Sequence, residues 1–209
     1  MPRERDHELI GRLISEDDRS RMEALDEVAA ERDSAYLPHI VASLYYIEPA
    51  VRRKAATALR GIKDQRVGDI TLMALATEKD PEVIFDLIMV FLYHPKEEAV
   101  DELLVYLDYP DYRVRSAAVD VLGAMGSVFS RRDVVEPLLP LLGDSRPSVV
   151  MVTLRALVHM AESLTSREML ETIAERTAEL GDDQNRMVSD LAINVNRQVK
   201  DTVAMLEGS

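Results

Sequence analysis

The spacings in this sequence that could do chemistry are its acid–arginine pairs. Glu48 precedes Arg52, Asp111 precedes Arg115 and Asp18 precedes Arg21, each carboxylate three or four residues ahead of a guanidinium. An arginine fork can grip a carboxylate or phosphate ligand, or it can tie one part of a fold to another through a bidentate ion pair. The structural use is the expectation here, a ladder joining turns to helices, because the same apolar pattern follows each pair. Other reactive groups are thinly spread. His7, His39, His94 and His159 fall at unrelated phases, with no His-Glu-x-x-His run and no histidines at i,i+4. There is no glycine-rich phosphate loop and no Gly-x-Ser-x-Gly elbow. Cysteine is absent, which excludes disulfides and thiolate metal sites. Asp17-Asp18 and Asp182-Asp183 stand where helices should start and read as caps. No catalytic residue, metal ligand or cofactor is expected.

The elements that carry these pairs repeat. "EPAVRRKAATALRGIK" at 48–63 and "DYRVRSAAVDVLGAMG" at 111–126 share one apolar face: Val51, Ala55, Leu59 and Ile62, then Val114, Ala118, Leu122 and Met125. Spacings of 4, 4 and 3 mark an amphipathic helix. Val83, Leu87 and Phe91 repeat the pattern, as do Val149, Leu157 and Met160, with Thr153 in the alanine place. The first anchors lie 32, 31 and 35 residues apart. Weaker copies begin near Ser20 (Ala24, Val28) and near Met187 (Leu191, Val195).

Two helices per unit are expected. First helices are placed at 7–14, 36–46, 67–77, 97–107, 133–142 and 166–180. Second helices are placed at 19–31, 49–62, 81–93, 112–125, 147–162 and 184–206. Pro81 and Pro147 support two of these starts, since proline at the first turn of a helix loses no hydrogen bond. Period-2 strand patterns are not found. A hairpin of this size cannot bury its own apolar stripe, so stacked neighbours must do it. The reading is all-α: a right-handed α-solenoid of about six helical hairpins forming a single domain over 1–209. Its units are expected at 7–33, 34–64, 65–95, 96–127, 128–163 and 164–209.

"VVEPLLPLLGDSRPSVVMVTLRALVHMA" (134–161) resembles a HEAT unit, with a proline-bearing first helix, an aspartate turn and a second helix. "YPDYRVRSAAVDVLGAMG" and "IEPAVRRKAATALRGI" are similar to the second-helix signature of the phycobilisome-lyase-like HEAT subfamily. The resemblance implies a HEAT-repeat, armadillo-like fold whose second helices line a concave face. It also implies the structural role of Arg21, Arg52 and Arg115. Fold alone does not imply function. The principal expectation is a non-catalytic scaffold or adaptor binding a peptide or helical segment of a protein partner. Alternatives are a bilin-lyase-type enzyme, an alkylpurine-DNA-glycosylase-type enzyme, or a regulatory subunit of an enzyme. The HEAT-like deoxyhypusine hydroxylases need several His-Glu dipeptides, and this chain has only His7-Glu8.

On that reading, outward positions lie two, six and nine residues after each anchor. They give a candidate surface of Arg53, Thr57, Arg60, Phe85, Met89, Leu92, Asp120, Met151, Arg155 and Val158. Phe85, Met89 and Leu92 put apolar groups where other units carry charged or small ones. They form either an exposed patch suited to an amphipathic segment or a helix buried on all sides. Basic residues cluster once, in "RRKAATALRGIKDQR" (52–66), as a solvated face or a local patch for an acidic partner. Tyr106, Tyr109 and Tyr112 surround a turn. The final stretch, with Met187, Leu191, Val195, Val199 and Val203 on one face, reads as a capping helix.

Charge and length bound the rest. A net charge of −13 disfavours nucleic acid, because the surface repels phosphate backbones. The apolar run 83–93 is about half of the roughly 20 residues a membrane span needs. The N-terminus has no apolar signal core. A cytoplasmic, acidic protein without membrane contact is expected, monomeric or weakly dimeric.

Overall fold

The computed structural model describes residues 4–161 and 166–207. The repeat boundary expected at 163–164, and residue 162 of the helix expected over 147–162, lie outside the described residues. Among the described residues every regular element is a helix, without a strand. They divide into two compact units, Met1–Ala99 and Val100–Ser209.

The first unit holds three hairpins. They are α1 (Glu4–Leu13) with α2 (Asp18–Glu31), α3 (Leu37–Leu44) with α4 (Pro49–Leu59), and α5 (Val67–Leu75) with α6 (Pro81–Ile88). A 3₁₀ turn, Met89–Leu92, continues α6. Each first helix packs on its own second helix, and α2, α4 and α6 stack in sequence. The second unit repeats the plan with α8 (Tyr112–Val128), α10 (Pro147–Ala161) and α12 (Arg186–Glu207) as stacked second helices. Its first helices are α7 (Ala99–Leu103), α9 (Val135–Leu138) and α11 (Arg167–Ala178).

The helices expected over 97–107 and 133–142 are each an α turn followed by 3₁₀ turns, Leu104–Asp108 and Leu139–Gly143. In the second case Pro137 and Pro140 remove two backbone donors, so an unbroken i→i−4 ladder cannot form. Starts follow the sequence. Asp17, Asp80 and Asp111 cap α2, α6 and α8 through the backbone N–H groups of Ser20, Glu82 and Arg113. Pro49, Pro81 and Pro147 open their helices.

The anchors Val51, Val83, Val114 and Val149 are all fully buried, as are Ala55, Ala118, Leu59 and Leu122. Thr153 is buried too, its hydroxyl donating to the Val149 carbonyl at 2.8 Å. The last helix departs from expectation. Met187 is 65% exposed, and the buried stripe is Val188, Ala192, Val195 and Val199. The expected anchor was one residue early because Met187 is apolar too. Asn185 accepts from the Met187 N–H, which starts the helix so that Val188 faces inward.

The arginine ladder is present, but its acids are not the preceding ones. Arg52 donates to the carbonyls of Tyr46 and Ile47 and forks onto Glu78, in the turn of the next hairpin. Arg115 does the same with the Tyr109 and Pro110 carbonyls and with Asp144. Arg21 holds the Ser15 carbonyl and lies over the Tyr46 ring at 4.1 Å. Each arginine thus ties its own turn to the next hairpin. Glu48 and Asp111 instead occupy N-cap positions, Asp111 pairing with Arg113.

Burial raises the Asp144 carboxyl, but hydrogen bonds from the Arg115 side chain and the Arg146 N–H hold it below the usual carboxylate range. Glu78 is held down in the same way by Arg52. Because both folded values are depressed, their stabilisation is present at neutral pH and is lost as pH falls through the folded values. Thermal melts from pH 7 to pH 2 should therefore show stability falling below about pH 5, where carboxylates begin to protonate. Arg115→Ala, which strands a carboxylate only 9% exposed, should cost about 2–4 kcal/mol and flatten that acid slope. Arg113→Ala, at an exposed pair, should cost under about 1 kcal/mol in the same melts.

Candidate functional site

The second helices carry the candidate surface, and each unit presents its own part. In the first unit Arg53 and Thr57 are exposed on α4, and Phe85 and Met89 are half-buried on α6 and the turn after it. Leu92 is 36% exposed. The third hairpin is thus neither open nor buried all round. Val83, Ile84, Leu87 and Ile88 are core, while Phe85, Met89 and Leu92 keep part of their surface in water.

Asp86 explains how this apolar helix tolerates a carboxylate. It is 7% exposed, and an unpaired charge so placed would cost several kcal/mol. Arg53 Nε donates to it at 2.9 Å and Arg60 Nη2 at 2.7 Å, both reaching across from α4. Arg53 also pairs with Glu82. These two arginines therefore hold α4 against α6, and their charge is consumed within the unit. The hydrogen bond that Arg53 donates to Asp86 raises the guanidinium pKa above its ordinary value.

Most of the rest of the basic cluster is consumed similarly. Lys54 pairs with Asp26 and Arg66 with Asp64. The Arg66 hydrogen bonds hold the Asp64 carboxyl at about 2. The run of bases in 52–66 is mostly a set of ties between helices and turns, a fact that no spacing along the chain reveals.

In the second unit Asp120 on α8 and Arg155 on α10 are exposed, and Met151 is half-buried. Among the described residues, no carboxylate pairs with Arg155. Val158 faces a cavity of about 190 Å³ against α12, with Val199 and Met205 on the other side. The position nine residues after the anchor turns toward the following second helix in this hairpin, as it does at Arg60. Gly123 shows why. A Cβ there would lie 2.6 Å from the Ala156 Cβ, so α8 and α10 cross at these two residues. Periodicity gives the angle of a position but not which neighbour occupies that side.

Tyr106 and Tyr109 pack against each other with ring centroids 6.0 Å apart. Tyr112 lies under the Arg146 guanidinium at 5.1 Å. No group of three or more metal-binding side chains is assembled among the described residues. Nor is any of their helices long and apolar enough to cross a membrane.

This architecture defines an all-α helical-repeat protein of the α-solenoid class, built from HEAT- and armadillo-like hairpins. Residues 71–157 match the family of HEAT repeats. No curated protein matches the chain in sequence. Among solved structures, the archaeal HEAT-like repeats protein from Thermococcus onnurineus NA1 is similar, with a TM-score of 0.67 at 13% identity. That match covers 93% of this chain and 87% of the other. A designed armadillo repeat protein in complex with the peptide (KR)4 matches with a TM-score of 0.65 at 16% identity, over 94% and 98% of the two chains. The complex of CpcE and CpcF of phycocyanin lyase from Nostoc sp. PCC7120 matches at 0.50 and 18% identity, over 93% and 80%. These likenesses show a shared fold.

The Asp86 junction should dominate the stability of the first unit. Asp86→Ala, which removes the buried carboxylate that Arg53 and Arg60 share, should destabilise by about 1.5–3 kcal/mol in denaturant unfolding. Thr57→Ala, on the exposed face of the same helix pair, should stay within about 0.5 kcal/mol.

Proposed function

We propose that the chain is a non-catalytic repeat scaffold that binds an amphipathic peptide or helical segment of a protein partner on its second-helix surface. The observation that carries this reading is the partial exposure of Phe85, Met89 and Leu92 on one helix and its 3₁₀ extension. A core helix would cover all three. Half-buried aromatic and methionine side chains offer a firm but adaptable apolar footing. Thr57 and Arg53 border that footing in the first unit, and Met151, Asp120 and Arg155 offer a comparable mixture in the second.

Charge favours one kind of partner. At −13, the protein attracts segments of positive charge and steers their approach. The structural likeness to a designed protein that holds (KR)4 is consistent with this use of the fold. Arg53 and Arg60 contribute by fixing the α4–α6 platform, since Asp86 already occupies them, and Arg155 is the arginine left to meet a ligand.

Affinity capture from host lysate with wild type and with Leu92→Asp, circular dichroism being recorded for both, tests the reading. Leu92 is exposed enough that the variant should keep its melting temperature within a few degrees. The expected result is a partner retained by wild type and lost by the folded variant. Phe85→Ala/Met89→Ala should weaken the same partner at least about tenfold, as hot-spot truncations do. Equal capture by all folded variants would place binding elsewhere and sink the reading.

A further inference from the structure

The first unit contains a cavity of about 490 Å³ where the C-terminal ends of α2 and α4 meet the segment after α6. Its polar lining is Arg32, Thr57, Arg60, Lys63, Tyr93 and His94, with no carboxylate among the lining residues. In a chain with 38 acids against 25 bases, a cavity lined by two cations without an ion pair, by Arg60 and by no acid is against the trend.

Two features of its cations stand out. Arg32 and Lys63 have no ion-pair partner among the described residues, whereas the neighbouring Arg52, Arg53, Lys54 and Arg66 are all paired. Arg60 lines the cavity beside them, with its Nη2 given to Asp86. Arg32 sits at the end of α2 with φ of 56°, the left-handed conformation that glycine takes most easily at that helix position. An arginine kept where glycine would relieve the backbone points to a use for its side chain. Gly61 makes room for it: a Cβ there would lie 3.1 Å from Arg32 Cγ.

Helix-end capping does not account for these cations. The Thr57 and Ala58 carbonyls accept from Arg60 and Gly61, and the Leu59 carbonyl accepts from Ile62 and lies 3.0 Å from His94 Nε2. The Val28 carbonyl accepts from the Arg32 N–H. The negative ends of the helix dipoles offset part of the positive charge, and the guanidinium and ammonium groups of Arg32 and Lys63 remain without a bonded partner.

We propose that this cavity binds a phosphomonoester dianion, held by Arg32 and Lys63 with Arg60 in the wall behind them, and with its organic part beside the Tyr93 ring. A compact dianion fits better than a nucleic acid strand, because the strongly acidic remainder of the surface repels an extended polyanion. The cavity is far larger than a phosphate group, which leaves room for the ester's body. Its source is either a free small ester or a phosphorylated side chain of a bound segment.

The test is a ¹H–¹⁵N titration of the intact chain with inorganic phosphate, phenyl phosphate, and a phosphoserine peptide with its unphosphorylated twin, all at constant ionic strength. Saturable shifts centred on Arg32, Gly61, Lys63 and His94 are expected, with the unphosphorylated peptide leaving them unmoved. Tighter binding of phenyl phosphate than of the phosphopeptide assigns a free ester, and the reverse order assigns a phosphorylated segment. Arg32→Gly should keep or raise the melting temperature while weakening binding at least about fivefold, the loss expected when one charge-assisted contact goes. Lys63→Gln should weaken it similarly, and Arg155→Gln should not. Unsaturable shifts, full binding by Arg32→Gly and Lys63→Gln, or an equal loss in Arg155→Gln would overturn the proposal. Because Leu92→Asp leaves these residues untouched, phosphate binding and segment capture can fail independently.

Discussion

Each hairpin carries an apolar stripe wider than its own partner helix can cover, and the rest of the molecule follows from how that stripe is closed. Within each unit the second helices stack in sequence, and small residues let them come close. Ala55, Ala56, Ala117 and Ala118 are almost wholly excluded from solvent, and Gly123 meets Ala156 with no space for a methyl group between them. Burying a valine or leucine anchor contributes about 1.5–3 kcal/mol, and every hairpin repeats several of them. The outward face is what this stacking leaves over.

Polar ties fix the geometry that burial alone leaves loose. Hydrophobic contact has little directional preference, so stacked hairpins need something to set their register. Arg52 with Glu78 and Arg115 with Asp144 do so by spanning from one turn to the next through a planar fork that accepts few orientations. Asp86 performs the same task one layer further out, where it draws Arg53 and Arg60 onto α6. A protein with this many paired arginines keeps few free cations. Cations without an ion pair among the described residues, such as Arg32, Lys63 and Arg155, are therefore more informative than the basic run at 52–66 taken as a whole.

The two proposed surfaces draw on opposite properties of one scaffold. The segment-binding face uses partly covered apolar groups on α6, together with the long-range pull of an acidic protein on a cationic partner. The cavity at the ends of α2 and α4 uses a short-range concentration of positive charge within that acidic field. Both depend on the same α4–α6 junction, since Arg60 belongs to the cavity and to the Asp86 pair at once. Structure and recognition are thus coupled through a single side chain.

The apolar periodicity was enough to place the helical segments of the described residues, their pairing into hairpins and most of the core, because a 3.6-residue turn writes its buried face directly into local spacing. Proline and aspartate marked the starts, since their effects act within one turn. Where the signal was ambiguous, as between Met187 and Val188, local spacing chose the wrong neighbour. The tertiary structure alone decided the partners. Arg52 finds its carboxylate 26 residues away and Arg53 finds its own 33 residues away, distances set by how hairpins stack. It also decided that Arg60 and Gly123 turn toward a neighbouring helix, and that Arg32, Lys63 and His94 line one cavity. Local spacing fixes which way a residue points from its own helix axis. What it meets there depends on another helix, whose position comes from the packing of the hairpins within its unit.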